Sequence, residues 1–299
     1  MHHPSALVAG ELEAPFHYSP GGMRVTTSIS PLAEFLRDRR ESLTPAQVGL
    51  PSSSRRRVRG LRRTEVAELA GISANYYLRI EQGRGHRPSA EVLSALSRAL
   101  KLDEYGDEHL HRVAGLSAGH EAPAVSDDVP DGVRSLLDLH PDTPAYLSNG
   151  TLDVIGVNEP GRLLTPGGLR VGLNLVLSVF EHYPEPHSEA HWRRTAENVV
   201  ASLRYYADPR SPRLRHIVDT LSKSDPRFVE LWQQCLVRPH SSSWPLVHIE
   251  SHGWVGLRSE TLAIPASRGC TMTLFFAEPN TPGVAALRDL VRRARETGD

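Results

Sequence analysis

The chain has 299 residues, 39% of them hydrophobic and 23% charged, which predicts about two globular domains and excludes a fibrous or generally disordered protein. Cys235 and Cys270 are too few for a disulfide framework, and the longest apolar runs are too short to cross a bilayer, so we expect a cytoplasmic protein. The formal net charge of −1 hides an excess of basic side chains in residues 31–115, which contain 15 Lys or Arg and 11 Asp or Glu.

The first residues of the chain show a change from irregular to helical patterning. Residues 1–28 contain scattered Pro, Gly and His with no sustained period, and we expect a disordered leader. Ser30 and Pro31 then suit the cap and first turn of a helix. Thr44 and Gln47 stand at capping-box spacing and predict a second, short helix.

Two short helices joined by a tight turn are predicted between Leu61 and Gly83. Val66 and Ala70 recur at helical spacing in the first helix, and Leu69 shares their stripe. A glycine at position 71 suits a left-handed turn, after which a serine can cap the second helix. The face of that second helix that no local pattern buries carries Ser73, Ala74, Asn75 and Arg79.

An arginine run precedes this helix pair with no acidic residue inside it. Its members are Arg55, Arg56, Arg57, Arg59, Arg62 and Arg63. Such a density on a near-neutral chain suits a clamp for phosphate groups. The alternative is a solvated loop beside an ordinary helical hairpin in an all-α domain.

Helical spacing continues through residues 89–100 and 103–114, so we predict an all-α domain over residues 29–116. Gly115 to Gly119 matches the G-x-S-x-G pattern of a catalytic serine. That motif needs a strand before it and a helix after it, whereas here a helix precedes Ser117 and a predicted linker, residues 117–129, follows. We therefore predict no catalytic residue there.

From residue 130 the pattern becomes mixed. A helix is followed by two strands, at 145–147 and 152–157, around a Ser-Asn-Gly turn. Further helices are predicted at 173–180, 189–207, 214–221 and 228–236, strands at 246–250, 254–264 and 271–277, and a last helix at 284–294. This order predicts an α+β domain over residues 130–299, with a five-stranded antiparallel sheet and helices packed on one face.

Three short motifs carry a resemblance to a known family: Ala70-Gly71-Ile72-Ser73, Ile80-Glu81-Gln82-Gly83 and the following Pro88-Ser89. They resemble the helix-turn-helix of the XRE class of bacterial and phage repressors. The resemblance implies that the second helix enters the major groove of double-stranded DNA, with Ser73, Ala74, Asn75 and Arg79 as base contacts. It implies backbone contacts from the arginine run, Thr64 and Tyr76. Since one such module makes few contacts, we expect a homodimer on an inverted repeat, associated with the bacterial nucleoid.

Residues 31–296 as a whole resemble the MmyB-like regulators, which join an XRE helix-turn-helix to a PAS-like domain for a small, often lipid-like molecule. The matching residues include Pro144-Ala145-Tyr146, Val154-Ile155-Gly156-Val157-Asn158, Leu231-Trp232 and Ala277-Glu278-Pro279. Departures from the family pattern are Cys235, where a His is usual, and His252-Gly253-Trp254-Val255-Gly256, which replaces a typical His-Pro pair. The resemblance therefore implies a small hydrophobic or fatty-acid-like ligand. If the departing positions line the pocket, this ligand differs from that of the related proteins.

A cavity between the predicted sheet and helices would be lined by Tyr146, Phe180, Trp192, Trp232 and Phe276, with Arg204 or His252 placed to meet a carboxylate. Ordinary core packing is the alternative for each aromatic residue. His182, His187 and His191 lack metal-site spacing, so we predict neither a metal nor a cofactor. Besides a ligand-responsive regulator, two alternatives stay open: a constitutive repressor whose second domain only dimerises, and an enzyme with a DNA-binding appendage.

Overall fold

A computed structural model describes residues 30–51, 58–84, 86–115, 131–165, 167–181, 189–240, 242–264 and 269–298. Several sequence predictions lie outside these residues: the leader (1–28), Arg55, Arg56, Arg57, the linker (117–129) with Ser117, His182 and His187.

The N-terminal part is all-α, as predicted. Its helices are α1 (Pro31–Ser42), a 3-10 helix (Pro45–Val48), α2 (Arg63–Leu69), α3 (Ala74–Glu81), α4 (Ala90–Ala99) and α5 (Glu104–Val113). One apolar core joins them, with Leu36, Leu61 and Tyr77 fully buried. The predicted stripe of α2 is wrong at one position, because Leu69 is exposed and Ala67 takes its place in the core.

Local signals in the sequence fix the ends of these helices. The Ser73 side chain accepts a hydrogen bond from the backbone N–H of Tyr76 at 3.1 Å and caps α3. Gly71 has φ +66°, a conformation that favours glycine and turns the chain between α2 and α3. The predicted capping pair is also present, since the Thr44 N–H donates to Gln47 Oε1 at 2.7 Å.

The C-terminal part is α+β. Its elements are α6 (Asp131–Asp138), β1 (Ala145–Ser148), β2 (Val154–Val157), α7 (Glu159–Arg162), α8 (Leu175–Glu181), α9 (Glu189–Tyr206), α10 (Pro212–Ser224), α11 (Pro226–Gln233), β3 (Leu246–Ile249), β4 (Gly253–Gly256), β5 (Arg258–Ala263), β6 (Thr271–Phe276) and α12 (Pro282–Gly298).

The sheet differs from the predicted five-stranded arrangement. The described residues form a four-stranded antiparallel sheet in the order β2-β1-β6-β5 and a separate two-stranded ribbon, β3-β4. The strand predicted over 254–264 is divided at Leu257, which is fully buried and donates its N–H to the Pro245 carbonyl at 3.0 Å. A period of two cannot show such a break, because the alternation of side chains continues across it.

Helices cover both faces of the sheet, whereas the sequence predicted one. On one face α6 packs Leu137 against Leu147 of β1. On the other, Tyr146 of β1 belongs to a core that includes Leu290 of α12. Helices α8 to α11 form a further apolar cluster of their own, whose fully buried members include Phe228.

Candidate nucleic-acid interface and ligand-binding domain

The outward face of α3 is open to solvent. Ser73, Ala74, Asn75 and Arg79 are all exposed, while Tyr76 is half-buried. Tyr77 and Ile80 on the opposite face are buried in the helical core. The helix therefore presents a donor- and acceptor-bearing surface of the size that a major groove admits.

The described members of the arginine run lie on the segment that leads into α2 and at its first residue. Arg59, Arg62 and Thr64 are exposed on the segment that enters α2. Arg63 is partly committed elsewhere, because its Nε donates to Glu81 Oε2 at 2.5 Å while about half of its side chain stays exposed. Phosphate contact by these residues stays a prediction.

A buried ion cluster, here called the anchor cluster, consists of Arg40, Arg63 and Glu81. Glu81 at the end of α3 is fully buried and accepts from Arg40 Nε of α1 and from Arg63 Nε of α2. Burial alone would raise the pKa of Glu81, but the two guanidinium donors lower it below its ordinary value. The carboxylate thus fixes α3 against two neighbouring helices. The sequence contained this glutamate in the Ile-Glu-x-Gly pattern, but its role was not predicted.

The C-terminal part enters the core of the helix-turn-helix part. Cys235 and Val237, which follow α11, are buried in the same apolar cluster as Leu36 and Leu100. The predicted helix over 228–236 ends earlier, at Gln233, and Cys235 has φ +54°. The chain therefore turns at Cys235, and both Cys235 and Val237 lie in the apolar core of the N-terminal part.

A second group of side chains, here called the boundary cluster, joins the two parts: Asp38, Arg204 and Trp232. Arg204 of α9 lies 3.5 Å from Asp38 of α1, donates from Nη2 to the Trp232 carbonyl at 2.8 Å and stacks 3.9 Å above the centre of that indole ring. Its Nε is buried and has no acceptor among the described residues. Arg204 is therefore held at the boundary with one donor unsatisfied.

Further polar contacts surround this cluster. Tyr205 Oη donates to Glu108 of α5 at 3.0 Å, and the Arg112 guanidinium lies over the Tyr205 ring. His109 of α5 is buried beside them, and burial, with the nearby charges of Arg112 and Arg204, lowers its pKa well below the ordinary value. Local periodicity gives no signal for these contacts, since each partner lies on a different element.

The seven residues predicted to line a ligand cavity lie in four separate places. Tyr146 packs against Phe275 in the core on one face of the sheet. Phe180, Trp192 and Trp232 meet in the cluster of α8 to α11, where Phe228 lies between them. Arg204 adjoins this second group through its stack on Trp232, whereas His252 lies 3.7 Å from Asp289 and Phe276 lies on the surface.

A single cavity walled by all seven is therefore not observed among the described residues, and their separation has a physical cause. Helical and strand spacing shows which residues are apolar but not which core they enter. Phe276 illustrates this, because it follows the buried Phe275 and a shift of one residue along a strand reverses the face. The role of the other members in ligand binding stays a prediction.

An open pocket of about 600 Å³ lies at the turn between β1 and β2 and the start of α10. None of the seven predicted residues lines it. Its polar wall is a network in which Asn149 Oδ1 accepts from the backbone of Thr151 and Asp153, and Asp153 pairs with Arg213. Burial alone would raise the pKa of Asp153, but donors led by Arg213 lower it. Val154, Ile155, Val171 and Pro212 add apolar surface, and Arg134 adds a cation.

One grouping of potentially reactive side chains, Ser251, His252 and Asp289, lacks the order of a catalytic site. Ser251 Oγ donates to Asp289 Oδ2 at 2.8 Å, and His252 approaches the same oxygen. In a catalytic triad the histidine stands between serine and aspartate, so this order is wrong for nucleophile activation. Among the residues that the structure describes, no group of three His, Cys, Asp or Glu side chains could hold a metal ion.

Within the described part of the chain, no helix combines the length and apolar character needed to cross a bilayer.

Comparison with protein families assigns both parts of the chain. Residues 31–110 match a helix-turn-helix domain family, and residues 129–290 match the MmyB-like transcription regulator ligand binding domain. No curated protein matches the chain. The second match alone covers more than half of the sequence, and it follows a helix-turn-helix whose outward face is exposed. The chain therefore belongs to the MmyB-like transcription regulators, with an N-terminal DNA-binding part and a C-terminal ligand-binding part.

Proposed function

We propose that the protein is a homodimeric, ligand-responsive regulator that reads an inverted-repeat operator with α3. We assign residues 29–116 to the DNA-binding domain, 117–129 to a linker and 130–299 to the ligand-binding domain. The observation that carries the proposal is the exposed face of α3, which the anchor cluster fixes to two other helices. A groove-reading helix must be rigid, because base discrimination depends on bidentate geometry.

The exposed residues divide the reading among different base edges. Asn75 suits a bidentate contact with adenine and Arg79 one with guanine, whereas Ala74 can contact only the methyl group of thymine. The Ser73 oxygen already accepts from Tyr76 N–H, so its hydroxyl is best used as a donor. Arg59, Arg62 and Thr64 would bind phosphates and set the register without reading sequence.

Dimerisation follows from the small size of this surface. One helix of eight residues reaches only a few base pairs, and related modules gain selectivity by binding two half-sites about one helical turn apart.

The C-terminal domain would sense a small hydrophobic, fatty-acid-like molecule. The open pocket supports this class, since it combines apolar walls with the Arg134 cation. Cys235 and Val237 in the helix-turn-helix core, together with the boundary cluster, provide a path from that domain to α1. A ligand acts through such a path only if it binds two arrangements of the domains with different affinity.

The base-reading assignment is tested by selecting operator sequences from a random DNA pool with the wild-type protein and with Asn75→Ala. We expect the variant to lose discrimination at one position in each half-site, by about 1–3 kcal/mol or roughly 5- to 150-fold in relative affinity. Arg288→Ala, which removes an exposed charge on α12, serves as the control and should leave the selected sequence unchanged.

A phosphate-contact variant separates positioning from reading. Arg62→Ala should weaken binding to every sequence alike and reduce the slope of log affinity against log salt by about one. If Asn75→Ala and Arg79→Ala both keep the wild-type sequence preference, α3 does not read the operator.

A further inference from the structure

The β3-β4 ribbon continues the register of the main sheet. Leu246 pairs with Gly256 and Val247 with Val255, and the same register extends to Ser243 and Ser259, which exchange two backbone hydrogen bonds of 3.0 and 2.8 Å. Buried and exposed positions alternate accordingly. The ribbon and β5 therefore share one outward face. On the same side of the molecule, α6 covers the other half of the sheet, β1 and β2.

Large apolar side chains are exposed on the uncovered half of that face. Trp244 is 55% exposed, Trp254 50%, Leu262 56% and Phe276 40%. Arg258 pairs in register with Phe276 on one side, and the extended ribbon places it opposite Trp244 on the other. The name outer patch is used below for Trp244, Trp254, Arg258, Leu262 and Phe276.

Such a surface has the composition of a protein interface. Contiguous exposed apolar residues on a soluble domain mark interaction sites, and tryptophan and arginine are the residues that most often dominate binding energy. We propose that the outer patch binds the outer patch of a second copy of this chain and so forms the proposed homodimer, on which this inference rests.

The charges of the patch identify the partner. Arg258 Nε donates to Glu260 at 2.7 Å, and its Nη1 lies 3.7 Å from Glu278. Because both signs are present, a twofold axis can place the carboxylates of one copy near the arginine of the other. One cation beside two carboxylates is a poor surface for DNA or for an anionic membrane.

Sheet geometry is compatible with this arrangement. Antiparallel sheets stack face to face at about 10 Å with side chains interdigitated, so two outer faces can bury their tryptophans against each other. The contact is isologous and closes after two subunits, as a palindromic operator requires.

The proposal is tested by sedimentation equilibrium of the full chain and of the double variant Trp254→Lys/Leu262→Lys. Both side chains point outward, so the fold should be retained, which circular dichroism and the melting temperature check. We expect the dimer dissociation constant to rise by roughly 100-fold or more. The variant should still bind a single half-site and lose the added affinity for the inverted repeat. Leu139→Lys, at an exposed apolar position that follows α6 and lies outside both the outer patch and the open pocket, is the matched control and should stay dimeric.

Three results would overturn the proposal in distinguishable ways. If the double variant dimerises as tightly as the wild type, the outer patch is not the interface, although the homodimer stands. If Leu139→Lys dissociates the dimer equally, added charge rather than the patch is responsible. If the wild-type chain is monomeric both free and on the inverted repeat, the outer-patch interface and the proposed homodimer are both wrong. Selective binding of that monomer to a half-site would still support base reading by α3.

Discussion

The anchor cluster and the boundary cluster both bury an arginine beside a carboxylate, but they differ in how completely the charges are paired. In the anchor cluster the fully buried Glu81 receives two guanidinium donors, and Arg40 also donates to the Leu61 carbonyl at 3.0 Å. In the boundary cluster Arg204 has one carboxylate at 3.5 Å and keeps a buried Nε without an acceptor in the described structure.

This difference separates a fixed element from an adjustable one. A buried charge with complete pairing is costly to disturb, because removing one partner leaves the other uncompensated. A partly satisfied arginine that stacks on an indole ring has alternatives of similar free energy, since cation–π contact and a weak ion pair are each worth about 1 kcal/mol. The first arrangement suits the rigid base-reading role that we propose for α3. The second suits a boundary whose two sides must be able to shift when a ligand binds.

The largest effect that we predict comes from breaking the anchor cluster. Glu81→Ala removes the shared buried acceptor and leaves the buried Arg40 with only the exposed Glu41 carboxylate at 2.9 Å, so the free energy of unfolding should fall by up to about 3–5 kcal/mol. Urea denaturation followed by circular dichroism measures the loss. Glu68→Ala, at an exposed position on the neighbouring helix, is the control and should change stability by less than about 0.5 kcal/mol. Equal stability of the two variants would show that Glu81 does not fix α3.

The pH dependence of stability should distinguish the two carboxylates by sign. Donors from Arg40 and Arg63 lower the pKa of Glu81 despite its burial, so its favourable contribution is complete above its ordinary pKa of 4.5 and is lost as the pH falls through the folded value. Burial raises the pKa of Asp38 above 3.8, although Arg204 opposes this. Its ionised form is therefore unfavourable in the folded state, and that cost is relieved as the pH falls.

Unfolding measured between about pH 3 and 8 tests both signs. Glu81→Gln should remove part of the acid loss seen in the wild type and lower stability at neutral pH. Asp38→Asn should leave stability at neutral pH unchanged or slightly higher, because the amide can still accept from Arg204. If Asp38→Asn lowers the free energy of unfolding at neutral pH as much as Glu81→Gln does, Asp38 stabilises the fold as Glu81 does. The two clusters would then not differ in this respect.

The same contrast explains which features could be predicted from the sequence. The exposed face of α3 depends on local chemistry: Gly71 turns the chain, Ser73 caps α3, and helical spacing buries Tyr77 and Ile80. Each of these signals lies within one turn of helix, so the helices and the exposed positions were predicted correctly. The sequence also placed most strands of the C-terminal part within a few residues of their observed bounds.

Features that depend on contact between distant elements could not be predicted in this way. Nothing near Arg204 in sequence indicates that it meets Asp38, and nothing near Cys235 indicates that it enters the core of another domain. The division of one predicted strand at Leu257 is equally hidden, because side-chain alternation continues through it. The predicted ligand-cavity residues lie in different cores for the same reason: apolar spacing does not identify which of several cores a residue joins.

The smallest effect on stability, and the sharpest test of the contrast, is expected from Arg204→Met. Methionine keeps an apolar contact with Trp232 in place of the cation–π contact and removes a buried donor that has no acceptor among the described residues, while Asp38 is partly exposed and can be hydrated. We therefore expect the free energy of unfolding to change by no more than about 1 kcal/mol, since apolar replacement of a buried ion pair is often neutral.

What should change in Arg204→Met is the cooperativity of unfolding, because the charged link between α1 and α9 is lost. Hydrogen exchange should then show α1 opening without α9, whereas Arg215→Met on the exposed side of α10 leaves their protection linked. The contrary result is a loss of unfolding free energy comparable to that of Glu81→Ala, with the amides of α1 and α9 still exchanging together. The boundary cluster would then be as rigid as the anchor cluster, and a ligand signal would have to reach α3 by another route.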